Sequence, residues 1–360
     1  MQNLPLKAAL RSRLFLFGIT LLEAIPCLIA GEKPSLLTFQ EPHMGTQFTV
    51  RISCPSEKTA AAQEAAKAAF HEIKNLDQIC SDYLSDSELI KFLEAPVGQP
   101  TTVSLPLFDV FERSRHFSEL TDGAFDITIG PMIRQWRLTR QHHRLPTPQQ
   151  IQEARAKSGW RLLALDSSAH TATLTETGMR ISLGGIAKGF AADKALSILR
   201  THGFPRSLVA ASGDIAAGEA PWGERAWRIG IQSLDVFLIG SDDGARPLTE
   251  VITLQNAAVS TSGDTRQAIE IDGIRYSHII DPQSGLGLTE RIGVTVRGPD
   301  ATTTDALATA ISVMGLEKGL RFLESRRELE GLIISANGDS HPSTGWEEAK
   351  NPVATPGAKP

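Results

Sequence analysis

Stretches with helical and with strand periodicity alternate along this chain in mixed order, and the helical ones are chemically punctuated at their ends. That pattern restricts the fold more than any other feature. Helices are predicted over about 56–79, 104–120, 147–158, 186–202 and 303–314. Thr147, Pro148 and Gln150 make a capping-box start with proline at the first helical position, while Gly159, Gly203 and Gly315 stand where helices stop. Between the helices lie the strand candidates QFTVRIS, TATLTE, SLVAA, WRIGI, EVITLQ, QAIEIDGIRYSHII, IGVTVRG and GLIIS. Asp272-Gly273 in the sixth is a hairpin signal, because a two-residue type I′ turn needs positive φ at both central positions. This order predicts an α+β fold, with mixed and antiparallel sheets packed against helices, rather than a doubly wound parallel sheet.

The ends of the chain read differently. Lys7, Arg11 and Arg13 precede LFLFGITLLEAIPCLIAG, an apolar run too short for a comfortable membrane span and closing on small residues. Residues 1–30 are therefore expected to be an export signal, with Cys27 leaving a membrane anchor as the alternative. A globular domain is expected over 31–344 and a loose Pro-, Ala- and Lys-rich tail over 345–360. A formal net charge of -5 without a long basic run excludes a nucleic-acid binder held by phosphate contacts. Of the cysteines, Cys80 falls on the apolar stripe of Ala66, Ala69, Phe70, Ile73 and Leu76, where a small buried thiol is the plainer expectation than a disulfide to Cys54.

Several stretches carry candidate chemistry. SLGGIAKGFAADKA sets Gly184, Gly185 and Gly189 around Lys188 where a helix begins, an arrangement suited to an anion and also to a tight turn. In TTTDALATA, Asp305 and Thr309 lie one helical turn apart, so a carboxylate and a hydroxyl share a face and suit a hard cation such as magnesium. The same pair also fits a carboxylate complementing the helix dipole beside a filler residue. RYSHIIDPQSG puts His278 on the strand returning from the Asp272-Gly273 turn, with Asp281 at its end, as a proton acceptor and partner or as an edge histidine and turn aspartate. VSTSGDTRQ, with Thr261, Ser262, Gly263 and Asp264, reads as a polar loop able to donate to phosphate. SDYLSDSEL offers Tyr83, TDGAFDITIGPM pairs Gly123 with Asp126, and ASGDIAAGE places Asp214 after a strand.

Taken in order, Met44-Gly45-Thr46, SDYLSDSEL, TDGAFDITIGPM, ISLGGIAKGFAADKA, ASGDIAAG, STSGD, SHIIDPQSG and TDALATAISVMG resemble the ApbE family of FAD:protein FMN transferases, from about Met44 to Gly315. The resemblance implies an ApbE-like, T-fold-like architecture. It also implies a magnesium-dependent enzyme that takes FAD as substrate, attaches FMN to a threonine or serine of an acceptor protein, and releases AMP. Asp305 and Thr309 match its metal positions, with the backbone carbonyl near Ala187 adding to the shell, and His278 matches its general base. Gly184, Gly185 and Gly189 would let the flavin phosphates approach, with Lys188 nearby. Met44, Tyr83, Ala124, Phe125, Asp126 and Asp193 match positions near the flavin or adenine, and Asp214 with Ser262, Gly263 and Asp264 completes the polar rim. Ser182 stands where the family commonly has aspartate, and Thr265 where it often has an aromatic. The implied acceptors are flavin-carrying subunits of membrane redox complexes, which agrees with export to the periplasmic side of the inner membrane. An FAD pyrophosphatase and a noncatalytic FAD binder are the alternatives.

Overall fold

The computed structural model describes residues 34–232, 248–263 and 268–350. The expected export signal, residues 351–360, Asp264 and Thr265 lie outside the described residues. The strands of the first half are β1 (Ser35–His43), β2 (Thr46–Cys54), β3 (Thr101–Thr102), β4 (Leu163–Asp166), β5 (Thr171–Leu174), β6 (Ser207–Ala211) and β7 (Asp214–Ala217). There follow β8 (Trp227–Gln232), β9 (Leu248–Leu254), β10 (Ala257–Gly263), β11 (Ile269–Ile271), β12 (Ile274–Tyr276), β13 (Gly293–Gly298), β14 (Glu330–Ile334) and β15 (Ser340–Pro342). The helices are α1 (Thr59–Cys80), α2 (Glu88–Leu93), α3 (Leu105–Leu120), α4 (Gly130–His142), α5 (Pro148–Arg155), α6 (Ala187–Thr201), α7 (Ala301–Glu324) and α8 (Trp346–Lys350).

Eight strands form one antiparallel sheet in the order β1-β2-β6-β7-β10-β13-β14-β15. Its two faces follow from the period-2 alternation of side chains. In β6, Val209 and Ala211 belong to the main core, with Ala62, Ala69 and Ile73 of α1, Phe190 and Ala195 of α6, and Leu307 and Ile311 of α7. Leu208 points the other way, into a second cluster with Val259, Leu332, Trp227, Ile252 and Trp346. Trp346 is fully buried and its Nε1 donates to Glu250 Oε2 at 2.8 Å, so α8 closes this face at the start of the span read from sequence as a loose tail. Burying such a side chain contributes about 3 kcal/mol. A third cluster joins Met132 and Trp136 of α4 to Ala154, Ile271, Tyr276 and Ile280, and holds the β11-β12 hairpin against α4.

The expected helix boundaries hold where caps mark them. Ser104 accepts from Leu107 N at 3.4 Å at the start of α3, and Thr147 with Gln150 forms the reciprocal capping box of α5. Asp272 and Gly273 both take positive φ, 52° and 75°, as the hairpin turn demands. Gly315 stops a helical run where the sequence places its stop: at φ 75° and ψ 178° it is non-helical, and a second helical run follows it to Glu324, the two together making up α7. Cys54 and Cys80 are both buried free thiols, and burial pushes the Cys80 thiol up to about 12. VSTSG is a strand rather than a loop. Its Ser260 hydroxyl lies 2.9 Å from Thr304 Oγ1 on one face, and its Thr261 hydroxyl lies 3.0 Å from Thr295 Oγ1 on the other.

Candidate active site

Helices α6 and α7 meet at their N-terminal ends, and glycine makes the contact possible. A Cβ on Gly189 would stand 2.1 Å from the Ala301 carbonyl oxygen and 2.9 Å from Asp305 Cβ. The bareness of Gly189 therefore admits α7 and not a phosphate, and its N–H donates to Asp305 Oδ2 at 3.0 Å. Asp193, one turn further along α6, completes the joint. Its carboxylate accepts from Ala301 N at 2.9 Å, Thr302 N at 2.8 Å and the Thr302 hydroxyl at 2.5 Å. Asp300 caps the same end through Thr303 N at 2.8 Å, and Arg113 pairs with it at 2.6 Å. The first amides of α7 are thus taken by protein carboxylates, as orphan helix donors must be. Burial raises the Asp193 carboxyl above the ordinary range, opposed by these donors.

This joint sets Asp305 beside Lys188 and Asp214. The Lys188 ammonium donates to Asp214 Oδ2 at 2.6 Å and reaches Asp305 Oδ2 at 3.4 Å. Asp214 opens β7, and both carboxylates are almost wholly buried. Burial, reinforced by the neighbouring Asp214 carboxylate, pushes the Asp305 carboxyl up to about 7, against the pull of Lys188 and the Gly189 amide. Burial works against the Lys188 charge, but the two carboxylates outweigh it and hold the ammonium above the usual lysine range.

The cluster fits a hard cation. Two buried carboxylates share one ammonium, which leaves an excess negative charge when both are ionised, and every hydrogen bond given to Asp305 falls on Oδ2. Oδ1 has no donor among the described residues. The Thr309 hydroxyl is next in line on α7, and a Cβ on Gly185 would lie 3.2 Å from Thr309 Oγ1. Among the described residues no group of three or more His, Cys, Asp or Glu gathers. Any shell would therefore be completed by hydroxyl, carbonyl, water or substrate oxygens, the donor set of magnesium rather than zinc.

The cluster opens on a cavity of about 780 Å³. Of the residues singled out from sequence, Tyr83, Ala124, Phe125, Asp126, Gly184, Gly185, Lys188, Asp214, Ser262, Gly263, His278, Asp305 and Thr309 line it. Met44, Ala187 and Asp193 do not. Met44 sits in the β1-β2 turn at φ 48°, with its N–H bonded to Asp77 Oδ2 at 3.0 Å and its side chain against the core. Ala187 is the buried first residue of α6, and Asp193 is engaged in capping α7. Asp126 accepts from Thr128 N and Oγ1, both at 2.7 Å, which turns the chain beside the cavity. Burial raises its carboxyl, with Thr128 pulling it back.

His278 is not on a strand: β12 ends at Tyr276, and His278 lies in the bend that follows, exposed, on the cavity wall. Asp281 accepts from Gln283 N at 2.9 Å and Ser284 N at 3.1 Å, so it shapes the next turn. Tyr83 is 78% exposed at the rim, with the Arg137 guanidinium 4.5 Å from its ring centroid and Arg137 paired to Asp82 at 2.9 Å. Arg137 and Arg140 of α4 also line the cavity and were not singled out from sequence. The signal was present in Gly130-Pro131, read there as the close of a motif, because proline in a first helical turn followed by Met132 and Trp136 four apart announces a buried helix face.

The ApbE family pattern matches residues 44–333, and the chain belongs to that family. A FAD:protein FMN transferase of Vibrio cholerae is 31% identical over 316 residues, covering 86% of this chain and 91% of its own. One from Treponema pallidum is 30% identical over 306 residues, covering 81% and 82%. Among solved structures, the ApbE protein of Thermotoga maritima superposes with a TM-score of 0.76 at 28% identity, covering 88% of this chain and 99% of that one. The apo flavinyl transferase ApbE of Pseudomonas stutzeri also gives 0.76 at 28% identity, covering 88% and 97%.

Proposed function

We propose that this chain is a magnesium-dependent FAD:protein FMN transferase, which links FMN by a phosphoester to a threonine or serine of an acceptor protein and releases AMP. The observation that carries the reading is the buried Asp214–Lys188–Asp305 cluster at a cavity large enough for a dinucleotide, in a chain of this family. Asp305 and Thr309, with a backbone carbonyl near Ala187, would hold the magnesium ion. When bound, that ion supplies Lewis-acid stabilisation of charge on the pyrophosphate oxygens.

The chain's own groups divide the remaining work. Gly184 and Gly185 leave backbone room for the diphosphate, and Lys188 keeps the two carboxylates from repelling each other. Tyr83 at the rim offers an aromatic face to a ring. His278 takes the proton of the acceptor hydroxyl as its oxygen bonds to the FMN phosphorus. The bond from that phosphorus to the bridging oxygen breaks, and the oxygen leaves with AMP. The basic and apolar N-terminal segment supports export, so the acceptor is a redox-complex subunit exposed on the periplasmic side of the inner membrane.

The test is mass spectrometry of such an acceptor domain incubated with the purified chain, FAD and magnesium. A magnesium-dependent gain of one FMN on a threonine or serine is expected, with AMP in solution. Free FMN and AMP with no labelled acceptor would assign hydrolysis instead, and unchanged FAD would make the chain a flavin binder.

A further inference from the structure

The chain carries a net charge of -5, yet residues 127–165 hold seven lysines and arginines against one carboxylate, Glu153. Four of the cations, Arg134, Arg137, Arg140 and Arg144, fall on α4 and the turn after it, and all four are exposed. Three residues apart, the first three form a slanting stripe that starts at Arg134, opposite the buried Met132 and Trp136, and winds round to Arg140, one turn beyond Trp136 at the cavity. Arg137 is paired to Asp82, whereas Arg134, Arg140 and Arg144 make no ion pair with any described residue. Glu153 is occupied by Gln149 Nε2 at 2.9 Å, and Asp126 is buried against Thr128. Leu138, 41% exposed, stands among the arginines.

The stripe is tied to one wall of the cavity. Trp136 packs against Tyr276 with ring centroids 5.6 Å apart, and Tyr276 lies two residues before His278. Arg137, Arg140, His278 and Ile280 line the same cavity. A partner whose hydroxyl reaches His278 therefore brings its flanking residues close to α4.

We propose that the arginine face of α4 is the docking surface for the acceptor protein and binds acidic side chains that flank the hydroxyl receiving FMN. This rests on the transferase reading above. Exposed charges of this kind govern encounter and orientation, so their effect falls on acceptor binding and on its salt dependence rather than on the chemical step.

The experiment uses the intact chain and the acceptor domain labelled in the transfer assay. Arg134 and Arg144 lie outside the cavity lining, so R134Q/R144Q should raise KM for the acceptor about three- to tenfold, the worth of two exposed charge pairs, with kcat and FAD affinity unchanged. R134E/R144E should raise it further, and high salt should bring wild type and variants together. Changing the acceptor's flanking acidic residues to amides should weaken its use by wild type and have little further effect on R134Q/R144Q. An unaltered acceptor KM in both variants overturns the proposal, as does an equal rise in KM for FAD. If the variants instead lose sedimentation with phosphatidylglycerol vesicles while the acceptor KM stays put, the face is a membrane contact and the proposal falls. Absence of labelling by the wild-type chain would overturn the transferase reading itself, and the docking proposal with it.

Discussion

At the Asp305 wall of the cavity, two carboxylates and an ammonium are buried between α6, α7 and β7, and protein donors fix their positions to within hydrogen-bond distances. At the His278 wall, the imidazole stands exposed in a bend after a strand of three residues, held through the small Trp136–Tyr276–Ile280 cluster. The first wall belongs to the main core and the second to a satellite. Groups that must carry unlike charges in close contact need the rigidity and low dielectric of the first. A group that must meet another macromolecule needs the access of the second.

Asp305→Ala separates the walls most sharply. It should cost transfer on the order of a thousandfold, the scale of losing a preorganised charge-stabilising group. Folding stability should hold or rise, since Lys188 and Asp214 remain as a matched pair. Kinetics beside urea unfolding check both, and a matching loss of stability would make Asp305 structural.

His278→Asn should reduce transfer about a hundredfold while FAD affinity, read by fluorescence titration, stays the same. Equal losses in both would move His278 from proton transfer to substrate binding, and the contrast between the walls would weaken.

Gly189→Ala should destabilise the fold by about 2 kcal/mol, because the new methyl meets the Ala301 carbonyl and must push α7 away from α6. A urea midpoint equal to wild type would show that the joint yields.

The smallest effect concerns pH. With its carboxyl raised to about 7, above the unfolded value of about 4, Asp305 favours its protonated form in the folded chain. Stability without the ion is therefore expected to fall as pH rises from about 4 to about 7. A cation needs the carboxylate, so magnesium should raise the melting temperature more at pH 8 than at pH 6, with apparent affinity falling at most about tenfold per pH unit below 7. A magnesium effect flat across that interval would leave Asp305 ionised throughout.

The sequence made α3, α5 and the Asp272-Gly273 turn legible because their signals are local: a capping hydroxyl, a proline in the first turn, a residue pair able to take positive φ. It hid β10, since Ser260, Thr261 and Ser262 look like loop residues until Thr304 and Thr295 arrive from distant segments to satisfy two of their hydroxyls. The placement of Lys188, Asp214 and Asp305 in one cavity was legible only through the family resemblance. No spacing predicts that residues 26 and 117 positions from Lys188 converge on it. Gly189 and Asp193 show the converse limit. Both belong to a motif, yet they act through the α6–α7 joint that places the site, and only the partner helix reveals that.

Lys188 also bears on the order of events in making the protein. An acidic pair that depended on a divalent ion for neutrality would tie folding to the supply of that ion. Here an ammonium belonging to the chain offsets one of the two charges, so the polypeptide can reach its native state without waiting for an ion, and on the transferase reading the cation would be taken up afterwards, as a separate and reversible step of maturation.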